Sequence, residues 1–247
     1  SDTKTGVLFN ADHYGSLRSL ALGLVTDVAE RVFDIHAVRA LTMDINGEGV
    51  LFIGPSGTKK TDIFWRLYQE DEAVALHSYD YLFVRYGGGY AAADNPERKM
   101  YVPTNAVRAH EPLAKLFDKS KCENVITKVD DCRNEQHRMQ ESCPLNSGAP
   151  YSYDCAKKSH AMLDPYWLGG MSRHVKRIDI RHVFIMRNDP VSASMQKLDI
   201  EDALHTVEAG YAAGTSAGGA QHAFYNPHLL VKTDERLELQ KRFFTKL

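Results

Sequence analysis

A mixed α/β fold, with helices flanking a largely β core, is what this 247-residue sequence predicts. Three observations carry that expectation. The run VLFI at 50–53 is wholly apolar, as a buried strand is, and the loop GPSGTKKT at 54–61 then leads into a helical pattern. Asn46-Gly47, between two β-rich runs, is a strong signal for a two-residue hairpin turn. Segments 16–32 and 234–244 repeat apolar residues at helical spacing.

The elements follow in order. Residues 16–32 carry Leu17, Leu20, Leu24, Val28 and Val32 on one stripe and read as an amphipathic helix. Residues 35–45 read as a strand that turns at Asn46-Gly47 into strand 50–53. Beyond the helix that follows the 54–61 loop, short β-rich runs at 73–76 and 81–86 bracket His77-Ser-Tyr-Asp80. A turn at 87–89, a short strand at 90–93 and a loop through Asn95-Pro96 come next. Residues 178–186 (IDIRHVFIM) form the clearest late strand. A helix is expected at 200–213, a glycine-rich loop at 214–219, and a closing helix at 234–244 capped by Thr233 or Asp234.

Length allows one domain, 1–247, with residues 118–165 as a polar, irregular excursion from its core. A formal charge of −2 gives no electrostatic case for nucleic acid, and no apolar run reaches the roughly 18–20 residues of a membrane span. The N-terminal SDTKTGVLFN has neither the basic start nor the apolar core of a signal peptide, so a cytoplasmic protein is expected. Cys122, Cys132, Cys143 and Cys155 all fall inside the excursion, without a C-x-x-C pair. Free thiols, two disulfides, and an irregular metal site with His137 or His160 are the three readings of that cluster.

The 54–61 loop carries the chemistry. Strand, Gly-rich loop and helix in that order nearly satisfy G-x-x-x-x-G-K-[ST], the phosphate-binding P-loop. Backbone N–H groups of such a loop and the positive end of the following helix attract anions. Counting from Gly54, the cradle comprises Gly54, Pro55, Ser56, Gly57, Thr58, Lys59, Lys60 and Thr61, with Lys60 on the phosphates and Thr61 on Mg²⁺. Lys59 stands where the pattern has its last glycine, the residue that lets backbone approach phosphate closely. Asp80, about twenty residues on, sits where a Walker-B acid holds Mg²⁺; a turn aspartate is the alternative. His36 reads either as a core histidine or as a group near the γ-phosphate. Arg187 and Asp189, after the late strand, are either a solvated loop or an arginine clamp on transferred phosphate with its neighbour. The 211–230 stretch, a mobile loop followed by aromatics, either closes over a base or substrate or is an ordinary connection.

From His36 onward, IHAVRALTMDINGEGVLFIGPSGTKKT resembles the catalytic core of HPr kinase/phosphorylase: a histidine, a hairpin, then the P-loop. The loop interior Ser-Gly-Thr followed by Lys-Thr is also similar to ATP-dependent phosphoenolpyruvate carboxykinase. The resemblance is specific over 36–90 and suggestive from 160 onward. It implies a mixed-sheet P-loop core of that type, with Lys60 on the β- and γ-phosphates, and Thr61 and Asp80 serving Mg²⁺ or Mn²⁺. Those families follow with paired aspartates; here the pair reads Tyr79-Asp80. The recognition motif for HPr is not visible.

The leading expectation is therefore an ATP-dependent kinase moving a γ-phosphoryl group to a hydroxyl of a small molecule or protein, with Asp80, Lys60, His36 and Arg187 as catalytic candidates. The alternatives are a nucleotide-binding or regulatory module with a degenerate loop, and a carboxykinase-like enzyme. A homo-oligomer is compatible with each.

Overall fold

The computed structural model describes residues 4–11, 14–55, 57–104, 106, 110–114, 121–132, 143–152, 159–187, 195–210, 222–229 and 232–247. The chain is a mixed α/β protein. It opens with helix α1 (Tyr14–Phe33), then strands β1 (His36–Ile45) and β2 (Glu48–Ile53), helix α2 (Lys60–Glu70), and strands β3 (Val74–Ser78), β4 (Tyr81–Gly87) and β5 (Tyr90–Asp94). Strands β6 (Met100–Pro103), β7 (Lys121–Glu123), β8 (His160–Leu163) and β9 (Arg177–Ile185) precede helices α3 (Ile200–Ala209) and α4 (Asp234–Phe244).

The hairpin forms where Asn46-Gly47 placed it. Both residues have positive φ, 55° and 86°, the pair a two-residue turn of right-handed twist requires, and Ile45 faces Glu48 across it. β1 pairs antiparallel with β2 on one edge and with β3 and β4 in succession on the other. β2 lies parallel to β9, and β9 pairs with β5, which returns to β4. The pairings thus run in a circuit, β1–β2–β9–β5–β4, with β3 beside the far half of β1.

Successive side chains of a strand point to opposite faces, and here both faces are covered. Leu41, Met43, Val50 and Phe52 pack with Phe64 and Trp65 of α2. Val38, Ala40, Leu51 and Ile53 pack instead with Ile178, Val207 and Phe224. That is why 50–53 carries no polar residue. At Gly54 a Cβ would lie 2.7 Å from the Met186 carbonyl oxygen, so the close pairing of the β2 and β9 ends excludes a side chain.

Three expectations change. α1 forms but presents the opposite face: Arg18, Thr26 and Glu30 are buried while Leu17, Val28 and Val32 are exposed. The buried polar side chains each find a partner on the sheet or on α4, and those bonds set the helix's rotation. The late helix ends at Ala209 rather than 213, because Gly210 adopts a left-handed C-cap with φ 66°. The 118–165 stretch is not irregular at its ends: β8 pairs with β6 on one side and β7 on the other in a three-stranded sheet, and Ala161 and Leu163 join the core beside α2. Cys132 and Cys143 are buried together against Ile126 and Leu145, and Cys122 is half-buried. Cys155, His137, Asp189 and the 214–219 loop lie outside the described residues. Among the described residues no helix is long and apolar enough to cross a membrane. α4 spans Asp234–Phe244 as read, and Thr233 caps it by accepting from the Arg236 amide.

Candidate anion-binding cleft

β2, the 54–59 loop and α2 form the strand–loop–helix unit in space. It opens onto a cleft of about 570 Å³. One wall is the loop and the first turn of α2, from Gly57 to Asp62. The other is built by Arg18 of α1, Arg39 of β1, Tyr79-Asp80 from the link between β3 and β4, and His228. Tyr101 of β6 and His160 of β8 complete it, their rings stacked 4.1 Å apart.

Within the loop, Thr58 is buried and donates its hydroxyl to the Pro55 carbonyl at 2.9 Å. The Lys60 ammonium donates to the carbonyls of Gly54 and Pro55, at 2.6 and 2.8 Å. Burial pushes that ammonium down to about 8, helped by nearby Arg39 and opposed by Asp80. Lys59 is exposed and left-handed, with φ 60° and ψ 23°, and gives α2 no side-chain cap. The lysine has thus taken the backbone conformation natural to the glycine it replaces. The Thr61 hydroxyl lies 3.2 Å from the Tyr79 hydroxyl, whose own ionisation burial pushes up to about 12. Ser56 lies outside the described residues.

Asp80 is placed by topology. β3 and β4 pair one after the other along β1, so their link lies against the middle of that strand. The Asp80 carbonyl accepts from the Ala40 amide at 3.0 Å. Its carboxylate is consequently beside Arg39, whose Nε donates to Oδ1 at 2.9 Å. Arg18 Nη2 donates to Oδ2 at 2.8 Å, and Arg18 is in turn held by both oxygens of Glu97, at 2.6 Å each. Burial favours the neutral acid, yet the Arg39 and Arg18 guanidiniums overcome it and hold Asp80 far below the usual carboxylate range.

Asp80 and His36 are both engaged by contacts within the fold. Asp80, expected as metal ligand or base, has both oxygens engaged by guanidinium groups. His36, expected near the γ-phosphate, sits away from the cleft at the start of β1. Its Nδ1 lies 2.7 Å from the Tyr86 hydroxyl and its ring stacks on Phe243 at 5.0 Å. Burial drives His36 down to about 3, which leaves it uncharged at neutral pH. Arg187 is exposed, one residue beyond Met186, whose amide donates to the Ile53 carbonyl at 2.7 Å. The structure thus gathers Lys60, Thr61 and Asp80 at one cleft, with Arg187 and His36 outside its lining.

Arg18, Arg39, Glu97 and His228 did not emerge from the motif. Arg39 had a signal: it is the one charge in the apolar centre of a strand reading AVRAL. His228 had none. It is 3% exposed, and neither ring nitrogen has a hydrogen-bond partner. Burial, with Arg18 and Arg39 nearby, pushes its imidazole down to about 4 against the pull of Asp80.

No known family model matches the chain, and no curated protein sequence matches it. Among solved structures, the Hpr(Ser) kinase/phosphatase from Coxiella burnetii is similar at a TM-score of 0.36 and 11% identity, over 64% of this chain and 71% of that one. A likeness that slight assigns neither fold family nor activity.

Proposed function

We propose that the chain binds ATP with its polyphosphate on residues 54–61 and transfers the γ-phosphoryl group to a hydroxyl of a second molecule in the same cleft. The observation that supports this reading is the strand–loop–helix unit opening, with Lys60 and the first turn of α2, onto a cleft of about 570 Å³ whose far wall carries further cations. Ligand sites fall in that size range. Phosphoryl transfer asks a protein chiefly for positioning and charge neutralisation. The acceptor oxygen would bond to the γ-phosphorus as the bond to the ADP oxygen breaks. Lys60 would face the charge that spreads over the transferred group. To reach phosphate, Lys60 exchanges its bonds to the Gly54 and Pro55 carbonyls for bonds to the ligand.

A Mg²⁺ or Mn²⁺ ion carried by the nucleotide would neutralise phosphate charge, and the Thr61 hydroxyl suits it. Asp80 would reach it only while keeping or exchanging its bonds to Arg18 and Arg39. No trio of His, Cys, Asp or Glu able to hold a metal occurs among the described residues. The same facts favour a second reading, a nucleotide-binding module without transfer. Tyr79 stands against Thr61 where the resembled families carry a further carboxylate.

Thermal shift decides whether nucleotide binds. ATP with Mg²⁺ should raise the melting temperature of the parent and not of Lys60→Ala. Loss of a charge-assisted contact worth about 1.5–3 kcal/mol corresponds to roughly 10- to 150-fold in affinity. Equal shifts in both proteins would remove the phosphate-loop reading. ADP release dependent on a hydroxyl acceptor then separates a kinase from a binding module.

A further inference from the structure

We infer that the wall opposite the 54–61 loop is an oxyanion subsite built by Arg39, Arg18 and His228, and that the acceptor it receives carries a carboxylate or phosphate group. This rests on the proposed phosphotransfer and narrows its acceptor to a small anionic hydroxyl compound.

Arg39 is the first support. Its Nε holds Asp80, but its two terminal nitrogens make no hydrogen bond or ion pair with any described residue, and it lines the cleft. A guanidinium has five N–H donors in a planar fork that matches an oxyanion's paired oxygens. Asp80 fixes one edge of the fork and leaves the rest for a ligand. Arg18 plays another part: its bonds go to Glu97 and Asp80, so it anchors the carboxylate that orients Arg39.

His228 is independent of that network. Its imidazole is almost wholly buried, lines the same cleft, and has both nitrogens without partners. Leaving a buried polar group unpaired costs about 1–3 kcal/mol. A ligand group bonded to the ring would recover that cost.

The test uses the full chain saturated with a non-hydrolysable ATP analogue and titrated by calorimetry with inorganic phosphate, then separately with malonate. Binding should persist beside the nucleotide and fall about tenfold or more in Arg39→Gln. His228→Asn should weaken it by a smaller factor. Binding of phosphate alone or malonate alone supports the subsite and identifies which group it selects. Displacement of phosphate by the nucleotide, or equal phosphate affinity in Arg39→Gln, overturns it, as does no binding of either anion. If Arg39→Gln does not fold, Arg39→Lys takes its place, since a point charge cannot bond Asp80 and a ligand together. Should the analogue itself fail to bind, the phosphotransfer reading falls. The phosphate titrations of parent and variant without nucleotide then still decide the subsite.

Discussion

Helix α1 buries two charged clusters on one face, about 18 Å apart along its axis by helical rise, and they are finished differently. At its C-terminal end, Glu30 accepts from the Ala37 amide at 3.1 Å, from Gln240 at 2.5 Å and from Arg236 at 2.5 Å. Arg236 also reaches Asp27 at 3.2 Å, and the Glu30 and Arg236 side chains are 0% and 2% exposed. That cluster is closed and clamps α4 onto α1 and the start of β1. At the other end, Arg18, Asp80, Arg39 and Glu97 form a network of similar size, but Asp80 and Arg39 are 22% and 24% exposed to the cleft. The difference teaches how to separate architecture from binding. The closed cluster is shut away from solvent, whereas the open one keeps Arg39 donors facing the cleft.

The largest way to break this comparison is Arg236→Ala. Removing one partner of a buried pair leaves Glu30 uncompensated, and about 3–5 kcal/mol of stability should be lost in urea unfolding. Arg39→Gln should cost far less, because Asp80 keeps Arg18. Equal losses would show that the cleft cluster is architectural too.

Acid titration sharpens the contrast, because the two carboxylates shift in opposite directions. Asp80 is depressed below 3.8, so its contribution is complete above that pH and is lost as pH falls toward its folded value. Burial raises Glu30 above 4.5 despite Arg236, so its contribution is complete below 4.5 and is lost as pH rises through its folded value. Urea midpoints measured between about pH 2 and 7 should therefore show two separable changes. Asp80→Asn should flatten the acid limb and Glu30→Gln the limb above it. If either substitution left its own limb unaltered, that carboxylate's environment would have been misassigned.

The smallest effect belongs to Lys59→Gly. A left-handed residue costs about 1–2 kcal/mol, of which glycine's extra chain entropy returns roughly 0.5–1. A gain on the order of 0.5–1 kcal/mol in the urea midpoint is expected. No gain would mean that the Lys59 side chain contributes a contact that offsets its backbone strain.

Much of the fold was legible because its signals are local. Asn46-Gly47 needs only its own two φ angles, and the Thr233 cap needs only the amide three residues on. The loop at 54–61 was legible for the same reason. α1 shows where such reading fails. Its apolar stripe argued for one buried face, and the partners waiting for Arg18, Thr26 and Glu30 on Asp80, Tyr81 and Gln240 selected the other. The strands β7 and β8 were hidden differently, being three and four residues long and separated by a polar stretch that obscured their pairing with each other and that of β8 with β6.

Residue order alone settled the hairpin, the strand–loop–helix unit and the closing helix, since turn chemistry, side-chain period and capping act over a few neighbours. Folding in three dimensions decided that Asp80 would lie between two arginines, that His36 would stack among aromatics, and that Arg18, Arg39 and His228 would share a wall. Those residues lie up to 210 positions apart. What joins them is strand pairing and the need of each buried charge for a partner, and neither leaves a periodic trace in the chain.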